Sequence, residues 1–457
     1  MTDPVGTDPF ATDPFADLNA DAASASDEDT DIAFVHARRV WDSRGRPTVE
    51  VDILLECGAV GRAIAPAGAS TGSFEALELR DGGAAFGGYD VTKAVGHVNG
   101  EIAHAVTGLD AADQAALDEA MIELDGTPNK ARLGANAILA VSMAAAHAAA
   151  AASGEPLYRY LGDARSVTLP LPQIQIFGGG AHAGRRVDIQ DFMIACPSAG
   201  SFAEALDRTA EVYRAAGALM KEAGTLAGVA DEGGWWPEFT TNEQALDTLV
   251  RAIERAGFTP GKDVSIALDI AASEFGRGGK YKLALEDKEL DSAGMIRLLT
   301  GWIDRFPIAS IEDPLAEDDA AGFVAFTKEV GGRVQIVGDD FLVTEAARIH
   351  AAAGQGAANA VLIKPNQRGT LTETYAAWQA AKAVGYAGIV SARSGETEDT
   401  TIVHLAIGWG VGQLKVGSFA RGERMAKWNE ALRVEEALSA RARFAGGAVL
   451  GRSRAGA

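Results

Sequence analysis

Cysteine is nearly absent. Two stand in 457 residues, Cys57 and Cys196, far apart. Such a pair builds no disulfide framework and fits a reducing cytoplasm. Basic residues are also short, with 41 Lys and Arg against 63 Asp and Glu, a net charge of −22. That balance argues against a basic face for nucleic acid. Residues 1–31 hold nine of the acidic groups and no Lys or Arg, so the body of the chain is only moderately acidic. No apolar run of membrane-spanning length is free of charges and glycines. The Ala-rich stretch 137–152 is weakly hydrophobic and is expected to be a packed helix. The N-terminus lacks a basic segment followed by an apolar one, so no secretory signal is expected.

Length suffices for two domains with a large core. Residues 1–31 repeat Thr-Asp-Pro and then turn acidic and Ser/Ala-rich, which reads as a disordered tail. Residues 33–65 alternate as a β-meander, with a turn at Ser43-Arg44-Gly45. A small-residue loop, Pro66–Gly72, follows, then helical patterns at 91–106, 110–124 and 134–152. This first domain, α+β, spans 32–163. A second, α/β domain spans 164–442, with helices expected at 201–223, 241–256, 292–303 and 424–440. Leu371, Tyr375 and Trp378 keep the spacing of a core-facing helical stripe. Residues 443–457 read as a C-terminal tail.

The second domain carries the chemistry. Four apolar residues, Ala360-Val361-Leu362-Ile363, run into Lys364 and a turn at Pro365. Such a run suits a strand buried on both faces in a parallel sheet. Other short apolar runs end at Asp269, Glu312, Asp339, Arg393 and Lys415. From Glu312 on, the charged ends fall 27, 25, 29 and 22 residues apart, each one strand plus one helix. In a βα-barrel, catalytic groups collect at the strands' C-terminal ends. Carboxylates converging there suit Mg²⁺, which prefers hard oxygen ligands. The cations suit an anionic substrate. Lys364 can serve as a base if its pKa is depressed. The blander alternative makes these residues solvated caps, with Asp269 and Asp339 as helix N-caps. Six in one register weigh against it.

Over residues 33–440 the chain resembles the enolases. The resemblance rests on Asp42-Ser43-Arg44-Gly45-Arg46-Pro47-Thr48-Val49-Glu50, Gly68-Ala69-Ser70-Thr71-Gly72, Leu133-Gly134-Ala135-Asn136, Ser310-Ile311-Glu312-Asp313-Pro314 and Arg393-Ser394-Gly395-Glu396. It implies an N-terminal α+β capping domain and a modified (β/α)8 barrel. It implies metal ligands at Asp269, Glu312 and Asp339, with Ser70 helping to hold a second Mg²⁺. The implied base is Lys364, and the implied proton donor to the departing hydroxyl is Glu232. Arg393 and Ser394 would clamp phosphate, Lys415 would sit beside the substrate carboxylate, and His182 and Gln190 would complete the contacts, beside Asp191. The implied reaction is reversible dehydration of 2-phosphoglycerate to phosphoenolpyruvate, in the cytoplasm, by a homodimer or higher homo-oligomer.

The chain departs from the family's pattern at several positions. Asp191 stands for a usual Glu, Ala392 for a His, Ala67 for a common Ser, and Ala230 for a Gly. Arg185-Arg186 replace small or amide residues, and Trp235-Trp236 is an unusual pair. Asp191 and Ala392 are expected to open space, and the arginines to add charge, as a larger and more anionic substrate would need. That makes a carboxyphosphonoenolpyruvate synthase-like enzyme of phosphonate antibiotic biosynthesis the alternative. A non-catalytic scaffold is a third reading, against which the intact Lys364, Glu232 and acidic residues argue.

Overall fold

The computed structural model describes residues 29–69, 71–162 and 167–450. The capping domain opens with an antiparallel meander of β1 (Ile32–Trp41), β2 (Pro47–Leu55) and β3 (Val60–Ile64). Every residue of β2 is buried, because the helix Ala135–Ala152 lies across the sheet. A side chain at Gly61 would reach within 2.1 Å of the Ala144 carbonyl oxygen, so the helix packs this closely only against glycine. Its alanines follow from the same constraint. This helix is long and apolar enough to cross a membrane, but it forms the core of the cap. The cap also holds the helical stretch Thr92–Val106, with a π-turn at Val98–Ile102, the helix Gln114–Asp125, capped by Asp113, and the short helix Leu157–Tyr160.

Residues 29–31, expected in the tail, belong to the cap instead. The carbonyls of Asp29 and Asp31 accept from the N–H groups of Cys57 and Glu56, and Thr30 donates to Asp110 at 2.6 Å. The rest of the expected tail, 1–28, lies outside the described residues.

In the second domain eight strands close into a barrel: β4 (Leu171–Gly178), β5 (Asp191–Ala195), β6 (Ser265–Asp269), β7 (Ile308–Glu312), β8 (Gln335–Gly338), β9 (Ala360–Ile363), β10 (Ala387–Ser391) and β11 (Gln413–Ser418), which pairs back onto β4. From β7 to β11 each connection contains a helix, as the intervals predict. The helices begin where the sequence offers caps: Ser201, Thr241, Asp291, Asp319 and Thr370 each accept a hydrogen bond from the first turn. In the helix Leu371–Ala383, Leu371 and Trp378 are buried, but Tyr375 is 42% exposed and leans on Trp409. The expected stripe is therefore narrower, because the helix turns Tyr375 off the barrel's face.

One strand runs against the rest. β5 is antiparallel to both β4 and β6. Its first residue, Asp191, therefore reaches the rim where the parallel strands present their last, and it pairs in register with Gly178 and Asp269.

The bottom of the barrel is closed by residues expected in the C-terminal tail. Arg443–Phe444 pairs with Thr168–Leu169, and Leu450 is buried with Leu171, Ala195 and Ala309. The Val449 carbonyl accepts from Gln335 and Gln413 inside the barrel. Residues 451–457 lie outside the described residues.

Candidate active site

The parallel strands carry no charged residue before the rim, and the charged residues there meet in one place. Asp269, Lys364, Arg393 and Lys415 line a cavity of about 20 Å³ at the mouth, together with His182, Gln190, Asp191, Glu232, Ala392 and Ser394. Lys364 ends β9, and Pro365 starts a short helix immediately after it. Ser70 lies outside the described residues; its neighbour Ala69 lines the cavity.

Positive and negative groups interleave across the floor. The Lys415 ammonium donates to Asp269 and Glu312, 2.8 Å from each, and stands 3.5 Å from Asp191. Burial pulls Lys415 down, but Asp269 and Glu312 outweigh it and hold its pKa well above normal. Lys364 pairs with Asp339. Here too burial is overcome by the carboxylate, so Lys364 is held above its ordinary value. Asp339 is correspondingly lowered: burial would raise it, but Lys364 and Arg393 prevail. Glu312 goes the other way. Burial and the neighbouring Asp269 push its carboxyl well above the usual range, and its Oε1 is buried without a hydrogen-bond partner.

That orphaned oxygen, on a buried glutamate beside two aspartates, fits a cation-binding set. Asp269, Glu312 and Asp339 are not drawn onto one point, however, because the ammonium of Lys415 sits between the first two. The tight carboxylate cluster around Asp339 is with Asp313 and Asp340. Asp313 is spoken for by the N–H groups of Asp339 and Asp340, at 2.9 and 2.8 Å. Burial and Asp339 push Asp340 up to about 8.

A second group faces this floor. His182 approaches Asp191 through Nδ1 at 3.3 Å and Glu232 through Nε2 at 3.7 Å. Burial alone would lower the imidazole; Glu232 and Asp191 outweigh it and raise it to about 9. Asp191, raised by burial, is driven below the normal range by His182 and Lys415. Gln190 donates to Asp269 at 3.1 Å. In the order of the strands β5 lies opposite β9, so Asp191 faces Lys364 across the mouth.

Arg393 donates to Glu75 at 2.9 Å and to Asn366 at 2.8 Å. Gln367 donates to Asp339 at 2.9 Å, and Thr344 donates to Gln367 at 2.5 Å. The side chain of Gln175 binds both Asp191 and Gly234. None of Glu75, Asn366, Gln367, Thr344 or Gln175 stands out in the sequence as a site residue. Of the departures, Asp191 and Ala392 line the cavity, whereas the two arginines leave the rim. Arg185 pairs with Glu274 at 2.8 Å and Arg186 with Glu238, both at the surface. Neither lines the cavity.

Residues 32–161 match the family described as "Enolase, N-terminal domain" and residues 166–452 that described as "Enolase, C-terminal TIM barrel domain". The chain is also 53% identical over 416 residues to Enolase 1 of Desulfitobacterium hafniense (strain Y51), covering 90% of this chain and 95% of that protein. With both domains matched and the similarity running almost end to end, this chain belongs to the enolase family and is a hydro-lyase.

Proposed function

We propose that the protein interconverts 2-phosphoglycerate and phosphoenolpyruvate in glycolysis, with two Mg²⁺ ions per site. The observation that carries this reading is the opposition of Lys364 to the Asp191–His182–Glu232 group across a mouth floored by Asp269, Glu312 and Lys415. A β-elimination of water needs a base on one side of the substrate and an acid on the other.

In this reading Lys364 takes the α-proton, and Glu232 delivers a proton to the departing hydroxyl so that water leaves. His182 donates a hydrogen bond on Glu232's side of the site. Arg393 and Ser394 receive the phosphate, and Lys415 receives the carboxylate. Gln190 and Asp191 orient Asp269 and His182 respectively. Asp269, Glu312 and Asp339, with Ser70 for the second ion, would hold Mg²⁺, which would supply positive charge against the substrate carboxylate. Burial favours the neutral amine that a base must present, and Asp339 opposes it.

The larger-substrate alternative is not favoured. Its two arginines pair with Glu274 and Glu238 at the surface and do not line the cavity. The cysteines are free, which supports a cytoplasmic setting. An exposed edge-to-face pair on the cap, Trp41 with Phe86, supports assembly into a homodimer or higher homo-oligomer. The deciding assay follows phosphoenolpyruvate absorbance from 2-phosphoglycerate with and without Mg²⁺. Metal-dependent formation is expected; none under either condition would overturn the reading.

A further inference from the structure

Gln175 sits in the middle of β4, 1% exposed, with its amide aimed at the rim. Its Nε2 donates to Asp191 Oδ1, and its Oε1 accepts from the N–H of Gly234 at 2.9 Å. One side chain thus satisfies both ends of a buried amide. The two partners belong to different pieces of the same half-site. Asp191 holds His182, and Gly234 ends the turn that carries Glu232. Tyr213 and Arg421 also donate to the carbonyls of Gly233 and Ala230, and the N–H of Ser418 to that of Glu232, but among the described residues Gln175 is the side chain that ties the turn to Asp191; a Cβ at Gly234 would lie 2.3 Å from Gln175 Oε1, so the fit is specific to this pairing. The circuit closes through His182, whose carbonyl accepts from Asp231 and whose Nε2 faces Glu232.

We infer that Gln175 is a positioning residue that sets the Glu232 turn against Asp191 and His182, and so governs the leaving-group half of the reaction but not the proton-abstraction half. Resting on the reaction proposed above, this separates two events made on different sides of the barrel. Lys364 draws its geometry from Asp339, Gln367 and Thr344, none of which touches Gln175. A misplaced acid of this kind slows the step it serves, while binding and the remote step are retained.

The test uses the full-length protein with Gln175→Met, which keeps length and loses both hydrogen bonds, and Gln175→Glu, which keeps the acceptor for Gly234. Two rates are measured on 2-phosphoglycerate with Mg²⁺: exchange of the α-proton with D₂O, and formation of phosphoenolpyruvate. In Gln175→Met, dehydration should fall at least tenfold while exchange stays within threefold of wild type. Gln175→Glu should fall between the two on dehydration, and it decides the question if Gln175→Met does not fold. In the metal-free protein, the Nδ1 proton resonance of His182 should shift in Gln175→Met, since Asp191 loses its second partner. Equal losses of both rates, no loss of either, or an unmoved His182 resonance would each overturn the inference. If wild-type protein neither exchanges nor dehydrates 2-phosphoglycerate, the proposed reaction fails, and the His182 resonance alone decides the role of Gln175.

Discussion

Glu75, from the capping domain, lies 2.9 Å from the guanidinium of Arg393 in the barrel, with side-chain exposures of 6% and 3%. Burial disfavours the charged arginine, but Glu75 and Asp339 hold it above even its usual pKa. The cap therefore reaches into the mouth with a carboxylate and occupies the group proposed to clamp phosphate. Gln367 also donates to Glu75, at 3.2 Å, so the same contact ties the cap to the Asp339 side of the floor.

Substrate phosphate must compete with Glu75 for Arg393. A charge-assisted hydrogen bond contributes roughly 1.5–3 kcal/mol, equivalent to about one to two decades in binding. Glu75→Gln keeps the shape and removes the charge. Inorganic phosphate, titrated calorimetrically into this variant, should bind about tenfold tighter than to wild type. Unchanged or weaker binding would mean that Glu75 supports the phosphate-bound arrangement rather than opposing it.

The rim charges were legible because a strand buried on both faces must end in residues that meet water or chemistry. Lys364, Asp269 and Glu312 each follow such a run, and the intervals between ends betray the βα repeat. His182, Gln190 and Glu232 lie on loops with no period, so only the family resemblance located them. Gln175 was hidden for another reason. Between Ile174 and Ile176 it reads as one polar position of an alternating strand, and its role exists only once the reversed β5 brings Asp191 to it. Glu75 and Arg393 are 318 residues apart and in different domains, a pairing no local pattern encodes. The tail boundaries missed because 29–31 and 443–450 are held mainly by backbone hydrogen bonds and by single apolar contacts.

Lys364→Ala should abolish exchange of the substrate α-proton with solvent. The other lysine at the mouth, Lys415, is committed to Asp269 and Glu312 and faces the other strands. Loss of about two to four decades is expected, since base catalysis contributes about 10²–10⁴-fold and nothing nearby replaces it. Circular dichroism and Mg²⁺ binding should be retained. Exchange persisting near the wild-type rate in D₂O would remove Lys364 from that role.

A pH-sensitive contact lies away from the mouth, where cap meets barrel. His404 packs edge-on to His147 and stacks on Tyr158, with Glu430 3.5 Å from its Nε2; His147 in turn contacts Thr401, and Asp399 lies near both histidines. Burial and the neighbouring His147 lower His404 to about 4. Its folded pKa is thus below the unfolded value of about 6.5, and the unfolded chain binds the proton more readily. The stabilisation from keeping His404 neutral is full above the unfolded pKa and is lost as pH falls from about 6.5 towards 4. Between pH 7 and 5 the loss amounts to about 2 kcal/mol. His404→Gln should show a correspondingly smaller fall in denaturation free energy over that range. Parallel pH profiles for variant and wild type would show that His404 is not the group responsible.

The closing segment at the bottom of the barrel makes a prediction about stability rather than turnover. Leu450 is 2% exposed among Leu171, Ala195 and Ala309, and burying a leucine contributes about 1.5–3 kcal/mol. The carbonyl of Val449 takes the amide of Gln335 at 3.4 Å and that of Gln413 at 3.3 Å. Gln413 has a second acceptor in Gly388; Gln335 has none among the described residues, so removing Val449 strands one buried donor at a cost of about 1–3 kcal/mol. A chain ending at Ala445 should therefore be less stable than one ending at Leu450 by about 3–5 kcal/mol, or several degrees in melting temperature. The cavity is lined from the opposite end of the strands, so turnover at 25 °C should differ little between the two truncations. Coincident melting curves would show that the segment merely lies against the barrel, with solvent taking over its hydrogen bonds when it is gone.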